Sequence, residues 1–285
     1  MARPGLRVVH PDGTVPDVPS LMLIAALSVA APPPPPATAG DKANIELLDA
    51  CESLETCAAV KALIQRGAKA TPALKEGLKH PKELVRFWSL GVMSEIKDPG
   101  AWEAIEASIQ DPKLRVRTAA LFALGSYADK RATPHLVRAL GEKDVNLRIA
   151  AVLGLGKLAD PASAPALLKA IIDQDDEVRT YALFALADMG EKKAIEPARL
   201  RLVEDIKPAV RGAACAALGR LGAKEAFDDM VRVLQQDLKA EVRAECAAGL
   251  GRLGDPRAKA PLQKALSSAA EPVKSAAKWA LEQLD

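Results

Sequence analysis

The residues best suited to chemistry in this chain are three histidines, four cysteines and a recurring arginine. His10, His80 and His135 lie far apart, and no two stand at the i, i+4 spacing that sets two imidazoles on one helix face. No Cys-x-x-Cys occurs, so a zinc site of familiar spacing is not expected. A glycine-rich G-x-x-x-x-G-K-[ST] phosphate loop and a G-x-S-x-G nucleophile turn are also missing from the sequence. The expectation is a protein without a metal, without a cofactor and without catalytic residues.

The cysteines form two pairs. Cys51 and Cys57 are six residues apart. On one continuous helix they would be about 9 Å apart along the axis and about 120° out of alignment, too far to bond. Glu52-Ser53 reads as a break, with Ser53 as the N-cap of the next helix. A corner there brings the thiols together, and a Cys51–Cys57 disulfide is then expected if the chain is exported. Cys215 and Cys246 sit five and four residues after a repeated valine, at positions where sister segments carry mostly Ala, Leu and Val. They read as buried free thiols behaving as small apolar residues, with a redox pair as the alternative.

The arginine recurs in a fixed setting: Val85-Arg86, Val116-Arg117, Leu147-Arg148, Val178-Arg179, Val210-Arg211, Val242-Arg243 and, with lysine, Val273-Lys274. Successive basic residues are 31, 31, 31, 32, 32 and 31 residues apart, a period that marks a repeat array. Six residues before them stand His80, Asp111, Glu142, Asp173, Asp205, Asp237 and Ser268, five of the seven acidic. A row of guanidinium groups could hold anions. The acids favour the other reading, a ladder of ion pairs tying one repeat to the next, whose exposed members would contribute about 0–1 kcal/mol each.

Each repeat resolves into two helices. In the first, Val116, Ala119, Ala120, Ala123 and Leu124 form one face, as do Val210, Ala213, Ala214, Ala217 and Leu218. Gly190, Gly222 and Gly254 are placed to end three of these helices in the left-handed conformation. Asp98-Pro99, Asp160-Pro161 and Asp255-Pro256 supply N-cap and first-turn proline for the second helix, which carries pairs such as Leu136 with Leu140 and Met230 with Leu234. With 3% aromatic and 49% apolar residues, the core must be built mainly from Ala, Leu and Val, which suits closely packed helices.

The pattern acidic-x-x-x-x-Val-Arg-x-x-Ala-x-x-x-Leu-Gly followed by Asp-Pro resembles HEAT repeats of the short bacterial kind, the PBS-lyase HEAT-like repeats, over roughly residues 54–285. The resemblance implies an all-α, right-handed α-solenoid of two-helix units over residues 41–285. It implies the ladder of Arg86, Arg117, Arg148, Arg179, Arg211 and Arg243 with Asp111, Glu142, Asp173, Asp205 and Asp237. It also implies that the second (B) helices line a concave face where partners dock. Arg138, Lys169, Arg232 and Lys264 recur at one B-helix position, and Arg199 and Arg201 flank Leu200 in the same register. They predict a monomeric scaffold that binds a protein or peptide, acidic if this stripe does the binding. Two alternatives follow from other members of the family: a bilin-lyase-like or chaperone-like assembly factor, and a nucleic-acid binder. A net charge of +2 and two tyrosines argue against the last. HEAT-type deoxyhypusine hydroxylases hold iron with His-Glu pairs, whereas here His80 precedes Pro81 and His135 precedes Leu136.

Residues 1–40 differ from the rest. Leu21–Ala31 is an apolar run of 11 residues, the size of a signal-peptide core, and Ala37-Thr38-Ala39 offers a cleavage site after a run of prolines. Export to the periplasm or medium is expected. The alternative is a disordered Pro-rich leader on a cytoplasmic protein. No apolar run reaches the ~18 residues needed to span a bilayer.

Overall fold

The computed structural model describes residues 40–284. The leader expected over residues 1–40 lies, apart from Gly40, outside the described residues, as does its Ala37-Thr38-Ala39 site. The described residues form α-helices and short 3-10 turns with no strand. They gather into two compact units that divide between Leu158 and Ala159.

In the first unit, α1 (Asp41–Leu47), α2 (Ala58–Arg66) and α3 (Thr71–Gly77) precede α4 (Glu83–Ile96), α5 (Trp102–Ala107), α6 (Leu114–Ser126), α7 (Ala132–Ala139) and α8 (Val145–Leu158). The second unit holds α9 (Ala164–Ala170), α10 (Asp176–Asp188), α11 (Ile195–Glu204) and α12 (Pro208–Arg220). It continues with α13 (Phe227–Gln236), α14 (Ala240–Leu253), α15 (Lys259–Ala265) and the closing α16 (Glu271–Glu282). The first (A) helices of each unit lie side by side: α4 on α6 on α8, and α10 on α12 on α14 on α16.

Small residues set how closely those helices approach. A Cβ on Gly125 would run into the Cα of Gly154 on α8, and one on Gly219 would meet the Gly249 backbone of α14. Ala120, Ala214 and Ala217 are fully or almost fully buried, alongside Val116, Val210 and Leu218. Tight contact between neighbouring repeats is the source of stability in such an array, because each repeat touches only its neighbours.

The helix punctuation follows a rule wider than the glycines. Gly190, Gly222 and Gly254 adopt φ of +68°, +63° and +67°. Gly67 holds the same place after α2 with φ of +57°, while the three repeats between carry no glycine there, yet Lys97, Ala128 and Ala159 adopt φ of +54°, +52° and +50°. The next element begins with a 3-10 turn: the Asp98, Asp160 and Asp255 carboxylates accept from the amides of Gly100, Ala162 and Arg257. The α-helix proper starts three residues later, because proline and the capped turn come first. At the start of two B helices an arginine held by its capping aspartate lies over a ring. Arg131 stands 4.3 Å from the Trp102 centroid, and Arg257 stands 4.1 Å from that of Phe227.

Candidate functional site

The repeated arginines point inward and use two kinds of partner. Arg179 donates to both oxygens of Asp205, at 2.8 and 2.9 Å, and to the carbonyls of Asp173 and Gln174. Arg86 does the same with Asp111 and the carbonyls of His80 and Pro81, and Arg211 with Asp237 and the carbonyl of Asp205. Each aspartate also accepts the amide two residues on, that of Lys113, Lys207 or Lys239. The arginine therefore grips its own loop by the backbone and the next loop by the carboxylate. Burial pushes Asp111 and Asp237 upward, but the arginine hydrogen bond, the amide and the cationic charge outweigh it and leave both carboxyls below their ordinary value.

Not every position closes in this way. Arg117 donates to the Asp111 and Pro112 carbonyls, while the side chain of Glu142 lies exposed. Arg148 and Asp173 make the same loop contacts as the closed positions: Arg148 donates to the Glu142 and Lys143 carbonyls, and Asp173 accepts the Asp175 amide. Arg243 holds the Asp237 carbonyl, and the next loop offers Ser268 in place of an acid.

The B-helix cations divide into two groups. Arg138 in the first unit, and Lys169 and Lys264 in the second, are exposed. Arg199 is engaged by Glu196 and Asp229, and Arg201 leans toward Glu204 and Asp205. Arg232 shares Asp229 with Arg199 but keeps half of its side chain exposed. The basic stripe expected from the spacing is thus interrupted at α11, where Asp229 reaches Arg199 from α13 and Glu204 and Asp205, at the end of α11 itself, lie near Arg201.

Both cysteine pairs are bonded. Cys51 ends the first helical segment and Cys57 caps α2, with Cα atoms 5.4 Å apart. Ser53 is not the helix cap; its hydroxyl accepts the Thr56 amide and shapes the corner between the thiols. Trp88 Nε1 donates to the Cys51 carbonyl and anchors that corner on α4. Cys215 and Cys246 are joined in a second disulfide, so the reading of buried free thiols is corrected. The close approach of α12 and α14 over Gly219 and Gly249 brings their Cα atoms to 4.9 Å. The signal available in the sequence was two cysteines near equivalent positions of adjacent repeats.

The two histidines among the described residues meet carboxylates, His80 with Glu46 and His135 with Glu106, and His10 lies outside those residues. No group of three or more His, Cys, Asp or Glu able to hold a metal ion occurs among the described residues. Burial raises Glu245 above its ordinary value, against the pull of Arg252 and Arg220. Burial likewise pushes the Tyr127 hydroxyl, which donates to the Met93 carbonyl, up to about 12. No helix among the described residues is long and apolar enough to cross a membrane.

A ladder of arginine–aspartate pairs, glycine-spaced A helices and a second helix in each repeat define a helical-repeat protein of the α-solenoid class. The HEAT-repeat family model matches residues 42–125, 103–187, 164–248 and 195–282, and the chain belongs to that family. The fold is similar to that of YibA from E. coli, at 19% identity over 87% of this chain and 93% of that one, with a TM-score of 0.65. It is also similar to a chain of the CpcE–CpcF complex of phycocyanin lyase from Nostoc sp., at 23% identity over 75% and 86% and a TM-score of 0.51. A chain from the structure of Kap95p with RanGDP matches at 15% identity over 80% of this chain and 37% of that one, TM-score 0.57. Comparison with curated protein sequences finds no match.

Proposed function

We propose that this protein is a non-catalytic scaffold that holds a partner protein or peptide on its B helices. The observation that carries this reading is the division among the cations. The repeated arginines are spent on the ladder, whereas Arg138, Lys169 and Lys264 stand exposed on B helices. Exposed cations of this kind can present charge to an acidic partner and speed its encounter. Two proteins of similar fold are described in complexes with other proteins, CpcE with CpcF and Kap95p with RanGDP. We also read the chain as exported: all four cysteines are paired, which suits an oxidising compartment, and the apolar run Leu21–Ala31 has the length of a signal core.

The test is affinity capture from the native host with the full chain, compared with the triple variant Arg138→Glu, Lys169→Glu, Lys264→Glu. The captured partner should be lost from the variant while its circular dichroism is unchanged. Equal capture by both proteins would refute the B-helix reading. Sequencing the mature N-terminus tests export, with Gly40 or a nearby residue expected first.

A further inference from the structure

Large aliphatic side chains left in solvent are concentrated in one part of the molecule. Ile172, Leu200, Val203, Ile206, Leu238 and Leu266 are the large apolar residues exposed among the described residues, and all belong to the second unit. Ile206 and Leu238 are the extreme cases, 84% and 93% exposed. They occupy the same place one repeat apart, each directly after the ladder aspartates Asp205 and Asp237. Exposed aliphatics at one repeated position form a patch, unlike the scattered single ones common on any surface.

Beside them lies a groove of about 250 Å³ between the C-terminal ends of α11 and α13. Leu202, Val203 and Val233 supply its apolar lining. Asp205, Arg211 and Asp237 also line it, but these carboxylates are already neutralised by the ladder arginines and nearly sealed from water. They offer an incoming cation little. The accessible polar groups are Arg232 and the neutral Gln236 on the lining and the exposed Lys207 and Lys239, each next in sequence to one of the two aliphatics, while the exposed Glu204 beside Val203 faces Arg201. Arg232 and Lys207 have acidic neighbours, Asp229 and Asp176, yet both cations stay about half exposed. The edge therefore presents aliphatic surface framed by positive charge.

Resting on the scaffold reading above, we infer that this groove is a docking site for an acidic-aliphatic segment of a partner protein, one whose aliphatic side chain is flanked by carboxylates. The aliphatic group fills the space between Val203 and Val233 and covers Ile206 and Leu238. Its flanking carboxylates meet Arg232, Lys207 and Lys239. Adjacent helices lie about 8–10 Å apart, so neighbouring repeats can engage successive aliphatics of one partner segment. The site is distinct from the outward B-helix positions Arg138, Lys169 and Lys264.

The test uses the full chain and a short synthetic peptide of alternating Glu and Leu pairs, with binding read by fluorescence anisotropy. Ile206→Ser with Leu238→Ser, and separately Arg232→Glu, should each weaken binding by about tenfold or more, the scale expected for central contacts. Both aliphatics are exposed, so the double variant keeps its fold, which circular dichroism checks. Binding unchanged in these variants, or equal binding of a peptide with Lys in place of Glu, overturns the inference. If the groove variants bind normally while the Arg138, Lys169, Lys264 reversal does not, the scaffold reading stands and the groove falls. If wild type is a dimer by light scattering and Leu238→Ser is a monomer, the groove belongs to a second copy and the inference also falls.

Discussion

Arg179 and Asp205 meet in a two-bond pair across 26 residues of sequence, with side chains only 9% and 2% exposed. The pair bridges the loop before α10 to the loop before α12, because the same guanidinium also holds two carbonyls of its own loop. A charge so placed is costly to leave alone. Asp205→Ala should lower unfolding free energy by about 3–5 kcal/mol, the usual cost of stranding one partner of a buried pair. Arg117, which has no carboxylate clamp, gives the contrast: Arg117→Met should cost about 1 kcal/mol or less. Urea unfolding followed by circular dichroism measures both, and equal losses would remove the ladder from the list of stabilising features.

A second prediction concerns Ala128, exposed at φ +52° at the end of α6. An L side chain in that conformation costs about 1–2 kcal/mol, while glycine adds freedom to the unfolded chain worth about 0.4–1 kcal/mol. Ala128→Gly should therefore raise stability by about 0.5–1 kcal/mol, the reverse of glycine's effect inside a helix. Gly222→Ala should do the opposite, since it sits at φ +63° and an added Cβ would meet only the flexible Lys192 Nζ, at 4.0 Å. Thermal melting of both variants decides the matter.

These features differ in how far they could be read from the sequence. The period, the two-helix unit and the acid-arginine register were visible because each recurs, and repetition separates structural residues from chance. The capping aspartates were visible for the same reason. The left-handed positions at Lys97, Ala128 and Ala159 were hidden, since packing imposes the helix end there without the residue that would announce it. The Cys215–Cys246 bond was hidden by a one-residue offset within the repeat, which only the glycine-mediated approach of α12 and α14 makes productive. Pairing of Arg199 with Asp229 was hidden because spacing along one helix says nothing of an acid arriving from its neighbour, whereas Asp205, four residues after Arg201, was within local reach. Local pattern thus reports the repeat, while the surface depends on contacts between neighbouring repeats.

The two disulfides should differ in weight. Cys215–Cys246 closes a separation of 31 residues, against six for Cys51–Cys57. On loop-closure entropy the longer is worth about 3–4 kcal/mol and the shorter about 2 kcal/mol. Cys215→Ala with Cys246→Ala should therefore lower the melting temperature more than Cys51→Ala with Cys57→Ala. Mass spectrometry after denaturing alkylation without reductant should find no modified cysteine in the natural chain, and four after reduction. Modified thiols before reduction would show that a bond is not formed in the working protein.

Glu245 on α14 gives a pH signature. It lies against Gly212 of α12, where a Cβ would press on its side chain, and Arg252 and Arg220 are the charged groups that act on it. Burial dominates and raises its pKa in the folded state above the ordinary 4.5. A raised acid favours the folded state only while it is protonated: its contribution is fully present below 4.5 and is lost as pH rises through the folded value. Glu245→Gln removes that loss. The variant should match wild type at pH 4 and below, and melt higher than wild type at pH 7. The ladder carboxyls behave oppositely. Asp111 and Asp237 are held below 3.8, so their contribution is complete above that value and disappears as pH falls through the folded one. Melting curves of wild type and Glu245→Gln from pH 3 to 8 should therefore fall together at the acid end and separate above about pH 5. A constant gap across the range would mean that Glu245 acts through packing rather than through its charge.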